Sequence, residues 1–336
     1  MPAAVAYGLL GPELSAGERG FFRAADPWGF ILFARNVKDP AQVRALTNEL
    51  RATVGRANAP ILIDQEGGRV ARLRPPHWRS RPPARAFGEL YTRDPQVARD
   101  AAYLDARLIA NELRDLGITV DCAPVLDVPI EGAHDVIGDR AFSRDPAVVI
   151  ALGRAAMDGF LDGGVLPVIK HMPGHGRAFC DTHKELPCVS ASREELSTTD
   201  FVPFRSLNNA PCAMSAHVVY EAIDPNRPAT TSPRVIQQVI RGEIGFDGLL
   251  FTDDLSMQAL DGTLGDRAKA ALFAGCDVVL HCNGDMDEMK DVQANVKPLT
   301  GQSEKRAHAA LARLKEPVKI DIAAAESRLA ALMETA

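Results

Sequence analysis

The stretch "GFDGLLFTDDLSM", residues 245–257, decides how the chain is read. Leu249, Leu250 and Phe251 follow one another without a polar alternate, and the run closes on Thr252, Asp253 and Asp254. A strand with one wet face alternates apolar and polar side chains. An unbroken apolar run bounded by turn residues is what a strand covered on both faces requires. A helical pattern follows at residues 265–274, so the unit reads as a buried parallel strand, a polar exit and a covering helix.

The same unit recurs along the chain. "AAVAYGLL", "GFILFAR", "PILIDQEGG", "ITVDCAPVLDV", "VLPVIKHMPG", "PCAMSAHVV", "GLLFTDDLS" and "CDVVLHCNG" make eight apolar runs with exits. Amphipathic segments at 39–54, 94–116, 145–162, 232–244 and 265–274 lie between them. Several open on an Asp or Ser suited to capping, as does "SREE" at Ser192. Eight strand–helix units predict a (β/α)8 barrel of the TIM type, or a close variant, with 1–336 as a single domain. An open doubly wound sheet is the alternative, but no GxGxxG follows the first strand. The Pro- and Arg-rich residues 72–87 read as a long irregular connection, and 317–336 as a closing helix.

Length and composition agree with one large core: 336 residues, 46% hydrophobic and 24% charged. The net charge of −6, with no basic stripe, gives nucleic acid no electrostatic footprint. No apolar run approaches the roughly 20 residues that cross a bilayer, and the N-terminus lacks an export signal's basic segment. The six cysteines are scattered without a CxxC pair, which reads as reduced thiols in a cytoplasmic protein. The expectation is a monomer without a nucleic-acid or membrane partner.

A barrel gathers its functional groups at the C-terminal ends of its strands. Seven of the eight exits are polar: Arg35-Asn36, Asp64-Gln65-Glu66, Asp127, Lys170-His171, His217, Asp253-Asp254, and His281 with Asn283. Successive strand residues face opposite ways, so only one of Asp253 and Asp254 can enter the mouth. The other is left to cap the next helix. In "KHMPGHGRAFCDTH" the i, i+4 pair His171 and His175 would suit a metal on a helix, but Pro173, Gly174 and Gly176 forbid the helix. A metal site, an anion site and a proton-transfer site all remain open readings of this stretch. Asp181, two residues before His183, can fix that imidazole's tautomer and suit it to general acid–base work. A surface histidine is the bland alternative. Asp64, followed by Gly67-Gly68 and Arg72, reads as a grip on vicinal hydroxyls or as a structural ion pair. Arg140 carries the same ambiguity, and His217 reads as a supporting core-edge histidine.

Taken in order, "IDQEGGRVARL", "CAPVLDV", "IGDRAFS", "KHMPGHG", "DTHKELP", "AHVVY", "GFDGLLFTDDLSM" and "AGCDVVLHCN" resemble the glycoside hydrolase family 3 β-N-acetylglucosaminidases of bacterial cell-wall recycling. The resemblance covers nearly the whole chain. Met172 departs from an aromatic in the family's KHFPGHG, and Thr252 from its usual serine. The resemblance implies a retaining mechanism with Asp253 as nucleophile, His183 as proton donor and acceptor, and Asp181 as partner of His183. It implies sugar binding by Asp64, Arg72, Arg140, Lys170 and His171, with no metal and no cofactor. The implied substrate is a small carbohydrate with terminal β-linked N-acetylglucosamine, as a disaccharide or a muropeptide. A neutral histidine base repels an anionic acceptor less than glutamate would, which keeps phosphorolysis as an alternative. A metal-dependent barrel hydrolase is the more distant one.

Overall fold

A computed structural model describes residues 1–178 and 186–334. Its strands are β1 (Ala3–Tyr7), β2 (Pro27–Leu32), β3 (Ile61–Ile63), β4 (Val120–Asp121), β5 (Leu166–Met172), β6 (Cys188–Val189), β7 (Cys212–Ser215), β8 (Val219–Tyr220), β9 (Asp224–Pro228), β10 (Leu249–Asp254) and β11 (Val278–His281). Eight of them close into a parallel barrel in the order β1-β11-β10-β7-β5-β4-β3-β2. These are the eight runs singled out in the sequence. β6, β8 and β9 form a small separate sheet beside the barrel mouth.

The unalternating sequence has a direct cause in the packing. Ala4, Ala6, Leu62, Val168, Met214 and Phe251 point inward and fill the barrel. Their neighbours Val5, Ile61, Ile63, Ile169, Ala213 and Leu250 point outward against the helices. Both faces are dry, so neither tolerates polar residues.

The surrounding helices are α1 (Ala16–Ala25), α2 (Pro40–Val54), α3 (Ala84–Tyr91), α4 (Pro95–Asp115), α5 (Pro146–Asp162), α6 (Arg193–Thr198), α7 (Phe201–Ser206), α8 (Leu264–Ala274), α9 (Met286–Asn295), α10 (Gly301–Leu311) and α11 (Ile322–Glu334). Three begin with Asp-Pro: Asp39, Asp94 and Asp145 each accept backbone N–H bonds ahead of a proline in the first turn. Ser192 and Glu195 form the expected capping box on α6. Residues 235–243 wind as a π-helix where an ordinary helix was expected. Two further boundaries differ. The irregular 72–87 connection already turns helical at Ala84, and the closing helix starts only at Ile322. Among the described residues no helix is long and apolar enough to cross a membrane.

Arg81, in that connection, ties α4 to α11. Its guanidinium bonds Glu112 at 2.6 Å and Glu326 at 2.8 Å, with Asp105 at 3.8 Å, and its carbonyl accepts from Gly68 N. Asp105 is 4% exposed. Burial pushes its carboxyl up to about 7; Arg81 opposes the rise, while Glu112 and Glu326 add to it. The unfolded chain releases this proton near pH 4, so folded protein holds the extra proton between about pH 4 and 7. Stability therefore falls as pH rises through that window. Asp105→Asn removes the liability: thermal melts should show the variant above the parent at pH 8 and level with it near pH 4. A variant no more stable at pH 8 would refute this.

Candidate active site

The C-terminal ends of the barrel strands surround a cavity of about 280 Å³, close to the lower end of ligand-sized pockets. Ile31, Met214 and Leu280 form an apolar floor, and the walls carry nearly all of the charge. Asp64, Arg72, Arg140, Lys170, His171 and Asp253, all picked out in the sequence, line this one cavity. Asp181 and His183 lie outside the described residues. Not every polar exit joins the site. Asn36 Nδ2 donates to Leu9 O and Gly11 O, Arg35 is spent on Leu9 O and Cys282 O, and His281 pairs with Glu288. Those exits fasten the rim.

Local backbone conformation explains how Arg72 meets Asp64. Gly67 and Gly68 have φ of +93° and +53°, and a Cβ on Gly67 would lie 2.4 Å from Pro82 O. Only glycine fits this reversal. Gln65 then accepts from Arg72 N at 2.8 Å and Leu73 N at 3.0 Å. The chain is thereby returned so that Arg72 Nη2 reaches Asp64 Oδ2 at 3.0 Å.

From there the charges alternate. Lys170 Nζ, from the end of β5, lies 2.9 Å from Asp64 Oδ1 and 2.7 Å from Glu66 Oε1. Arg140 Nε and Nη2 grip Glu66 in two bonds of 2.9 and 2.8 Å. Burial would raise Asp64, but Lys170 and Arg72 outweigh it and hold the carboxyl well below its usual range. Glu66 is likewise opposed by burial, yet Arg140 and Lys170 bring it down to about 2. Lys170 answers with a raised pKa, since Asp64 and Glu66 overcome its desolvation. The row is fully ionised at neutral pH and presents donors and acceptors in fixed places, which suits polyhydroxyl recognition.

Asp253 stands across the cavity from this row. Its Oδ1 accepts from Asp254 N at 2.8 Å, and no hydrogen bond from the described residues engages its Oδ2. Burial opposes its ionisation, but His171, His217, the Asp254 N–H and Lys170 more than reverse this and lower its pKa. The result is an ionised carboxylate with one oxygen that no described residue engages, capable of nucleophilic attack. Asp254 lines the cavity too, against the expectation that only one of the pair would enter the mouth, but its oxygens are already bonded. Its Oδ1 accepts from Ser256 N and Cys282 N, and its Oδ2 from Ser256 Oγ. It ties β10 to β11 and caps a turn; Thr263, not Asp254, caps α8. His217 is buried and its Nε2 bonds Asp254 O at 3.0 Å, so it supports the strand end from behind.

His171 and Met172 end β5, and residues 173–175 leave it as a turn, so no helix forms here. The rings of His171 and His175 lie edge to face, 5.6 Å apart. Burial, then the neighbouring His171, pushes His175 down to about 4, so its ring is neutral at physiological pH. Among the described residues no group of three or more His, Cys, Asp or Glu is placed to hold a metal ion. The sequence placed Glu66 and Asp127 among the polar exits but assigned neither a role. The signal for Glu66 was its two-residue spacing from Asp64, which puts both on one side of an extended exit.

With this geometry in hand, the comparisons with known proteins are specific. The glycosyl hydrolase family 3 N-terminal domain matches residues 27–316. A β-hexosaminidase of Alkalilimnicola ehrlichii is 45% identical over 280 residues, spanning 82% of this chain and 79% of that protein. Another, of Methylobacillus flagellatus, is 41% identical over 294 residues, 86% of this chain and 82% of its own. The crystal structure of native NagZ from Neisseria gonorrhoeae superposes with a TM-score of 0.88 at 32% identity, covering 99% of this chain and 98% of that one. The same relative has been solved in complex with N-trifluoroacetyl-D-glucosamine, at the same TM-score and coverage.

Proposed function

Because the chain belongs to glycosyl hydrolase family 3, we propose that its cavity removes terminal β-linked N-acetylglucosamine, with retention, through a glycosyl-aspartate at Asp253. The observation that carries this reading is the carboxylate of Asp253, whose Oδ2 no described residue engages, in one small cavity with the ionised Asp64–Lys170–Glu66–Arg140 row. Its relatives named β-hexosaminidase support the substrate class.

In the first step Oδ2 of Asp253 attacks the anomeric carbon while the leaving oxygen takes a proton. In the second, water replaces the aspartyl oxygen and gives up a proton, so the two inversions return the β anomer. Retaining enzymes place two carboxyl groups about 5–5.5 Å apart. Here the second role is assigned to His183, with Asp181 holding its tautomer. Asp64, Arg72, Arg140, Lys170 and His171 grip the sugar hydroxyls. The natural substrate in this reading is a peptidoglycan fragment, N-acetylglucosamine on 1,6-anhydro-N-acetylmuramic acid with or without its peptide, recycled in the cytoplasm by a monomer.

The test is to incubate the protein with a slow fluorinated N-acetylglucosaminide and map the adduct by mass spectrometry. An ester on Asp253 is expected, and an adduct on Asp254 or none would overturn the assignment. Product analysis on chitobiose and on a muropeptide, with and without phosphate, separates hydrolysis from phosphorolysis and defines the aglycone.

A further inference from the structure

We propose that Asp127 is a positioning residue that fixes His171 as a hydrogen-bond acceptor towards the bound sugar. The proposal rests on the sugar-binding role assigned above to His171, but its geometry stands apart from that role. Asp127 follows β4 and is wholly buried. Its Oδ1 accepts two backbone N–H groups, from His171 at 3.1 Å and from His175 at 2.7 Å. Its Oδ2 lies 2.7 Å from Nδ1 of the His171 ring. One carboxylate therefore holds both ends of the 171–175 segment and the imidazole that the segment carries.

Asp127 has no hydrogen to give. Burial opposes its ionisation, but the His171 ring and the His175 N–H outweigh this and keep its pKa below the usual range. An ionised carboxylate only accepts, so Nδ1 of His171 must carry the proton. The other ring nitrogen is constrained from the opposite side. Arg140 Nη2 stands 3.5 Å from Nε2, and a guanidinium only donates. Both neighbours thus demand the same tautomer: Nδ1–H towards Asp127 and a lone pair on Nε2, in a residue that lines the cavity. A sugar hydroxyl meeting this edge must donate to it. Asp64 already supplies acceptors and Arg72, Arg140 and Lys170 supply donors, so Nε2 of His171 completes the set with a further acceptor.

Asparagine at 127 is nearly isosteric and reverses this logic. The amide oxygen is its only acceptor and is needed by the two backbone N–H groups, so its NH2 faces Nδ1. Nδ1 must then hold the lone pair and Nε2 the proton. Towards the cavity, an acceptor becomes a donor aimed at a donor. Substitution of a triad aspartate by asparagine disables a histidine in the same way.

The direct experiment is nitrogen NMR on protein labelled with 15N-histidine, with the His171 signals identified by their loss in His171→Gln. At pH 7.5 the parent protein should show a protonated Nδ1 and an unprotonated Nε2 on His171, and Asp127→Asn should show the reverse. In the same variant kcat/KM on an aryl β-N-acetylglucosaminide should fall about 10²-fold, as expected for an unmatched buried donor. A merely structural role for Asp127 would alter stability without exchanging the tautomer. An Nε2–H tautomer in the parent protein overturns the proposal, as does a swapped tautomer with kcat/KM within about threefold of the parent. Should Asp127→Asn not fold, the parent spectrum alone decides. Should the parent cleave no N-acetylglucosaminide, the proposed function fails while the spectra still report on Asp127.

Discussion

Asp253→Ala should lower kcat on an aryl β-N-acetylglucosaminide by about 10⁴-fold or more, roughly 5.5 kcal/mol of transition-state stabilisation. The size follows from what is removed. In the proposed mechanism the variant loses the atom that bonds to the anomeric carbon, and no described neighbour offers a free carboxylate in its place. Asp254 is the nearest carboxylate in sequence, but its oxygens are committed to Ser256 and Cys282 N on the adjoining strand. Two further results separate loss of a nucleophile from loss of folding. Azide, small enough to enter the vacated space, should restore turnover and yield the α-glycosyl azide, because one inversion then replaces two. Asp254→Asn keeps an acceptor for Ser256 and Cys282, so it should cost stability while leaving turnover measurable. The pH profile adds a sign. As the proposed nucleophile Asp253 would act ionised, and its pKa is lowered by His171, His217 and the Asp254 N–H against the effect of burial. The acid limb of kcat/KM should therefore lie below the usual carboxylate range. An Asp253→Ala protein with a tenth of the parent rate, and no azide product, would remove Asp253 from the mechanism.

Much of this was legible in the chain because the physics involved is local. A strand dry on both faces must be apolar throughout, so "GLLF" and its seven counterparts marked the barrel without any tertiary information. Alternation along β10 separated the roles of Asp253 and Asp254, but it did not keep Asp254 out of the cavity, which both residues line. What remained hidden depended on contacts between distant segments. Glu66 read only as one member of a polar strand exit, without a role of its own; its meaning comes from Lys170 and Arg140, 104 and 74 positions later in the sequence. Asp127 read as one more polar exit, because nothing local reveals that His171 and His175 both fold back on it. The opposite error arose at Arg35, Asn36 and His281. They have the residue types of a site at the positions of a site, yet their partners are rim carbonyls and Glu288. Residue type and strand position nominate candidates, whereas the partner determines the role.

The ionised row makes a second large effect expected, this time on stability. Lys170→Met should destabilise the protein by about 3–5 kcal/mol at pH 7, the usual result of removing one partner from a buried ion pair. The Lys170 side chain is 2% exposed and sits between Asp64 and Glu66, themselves 14% and 7% exposed. Methionine fills most of the space but leaves two carboxylates facing each other, with Arg72 and Arg140 alone among the described residues paired to offset them. The pH dependence identifies the cause. Glu66, brought down to about 2 against an unfolded value near 4.3, contributes stability above the unfolded pKa and loses it as pH falls through the folded one. Asp64 behaves in the same direction. The variant lacks much of that contribution, so denaturant titrations should show the widest gap from the parent at pH 7 and a shrinking one from about pH 5 towards 3. A gap that stays constant over this range would mean that Lys170 acts through packing of its methylene chain, and the row would then owe its order to the arginines instead.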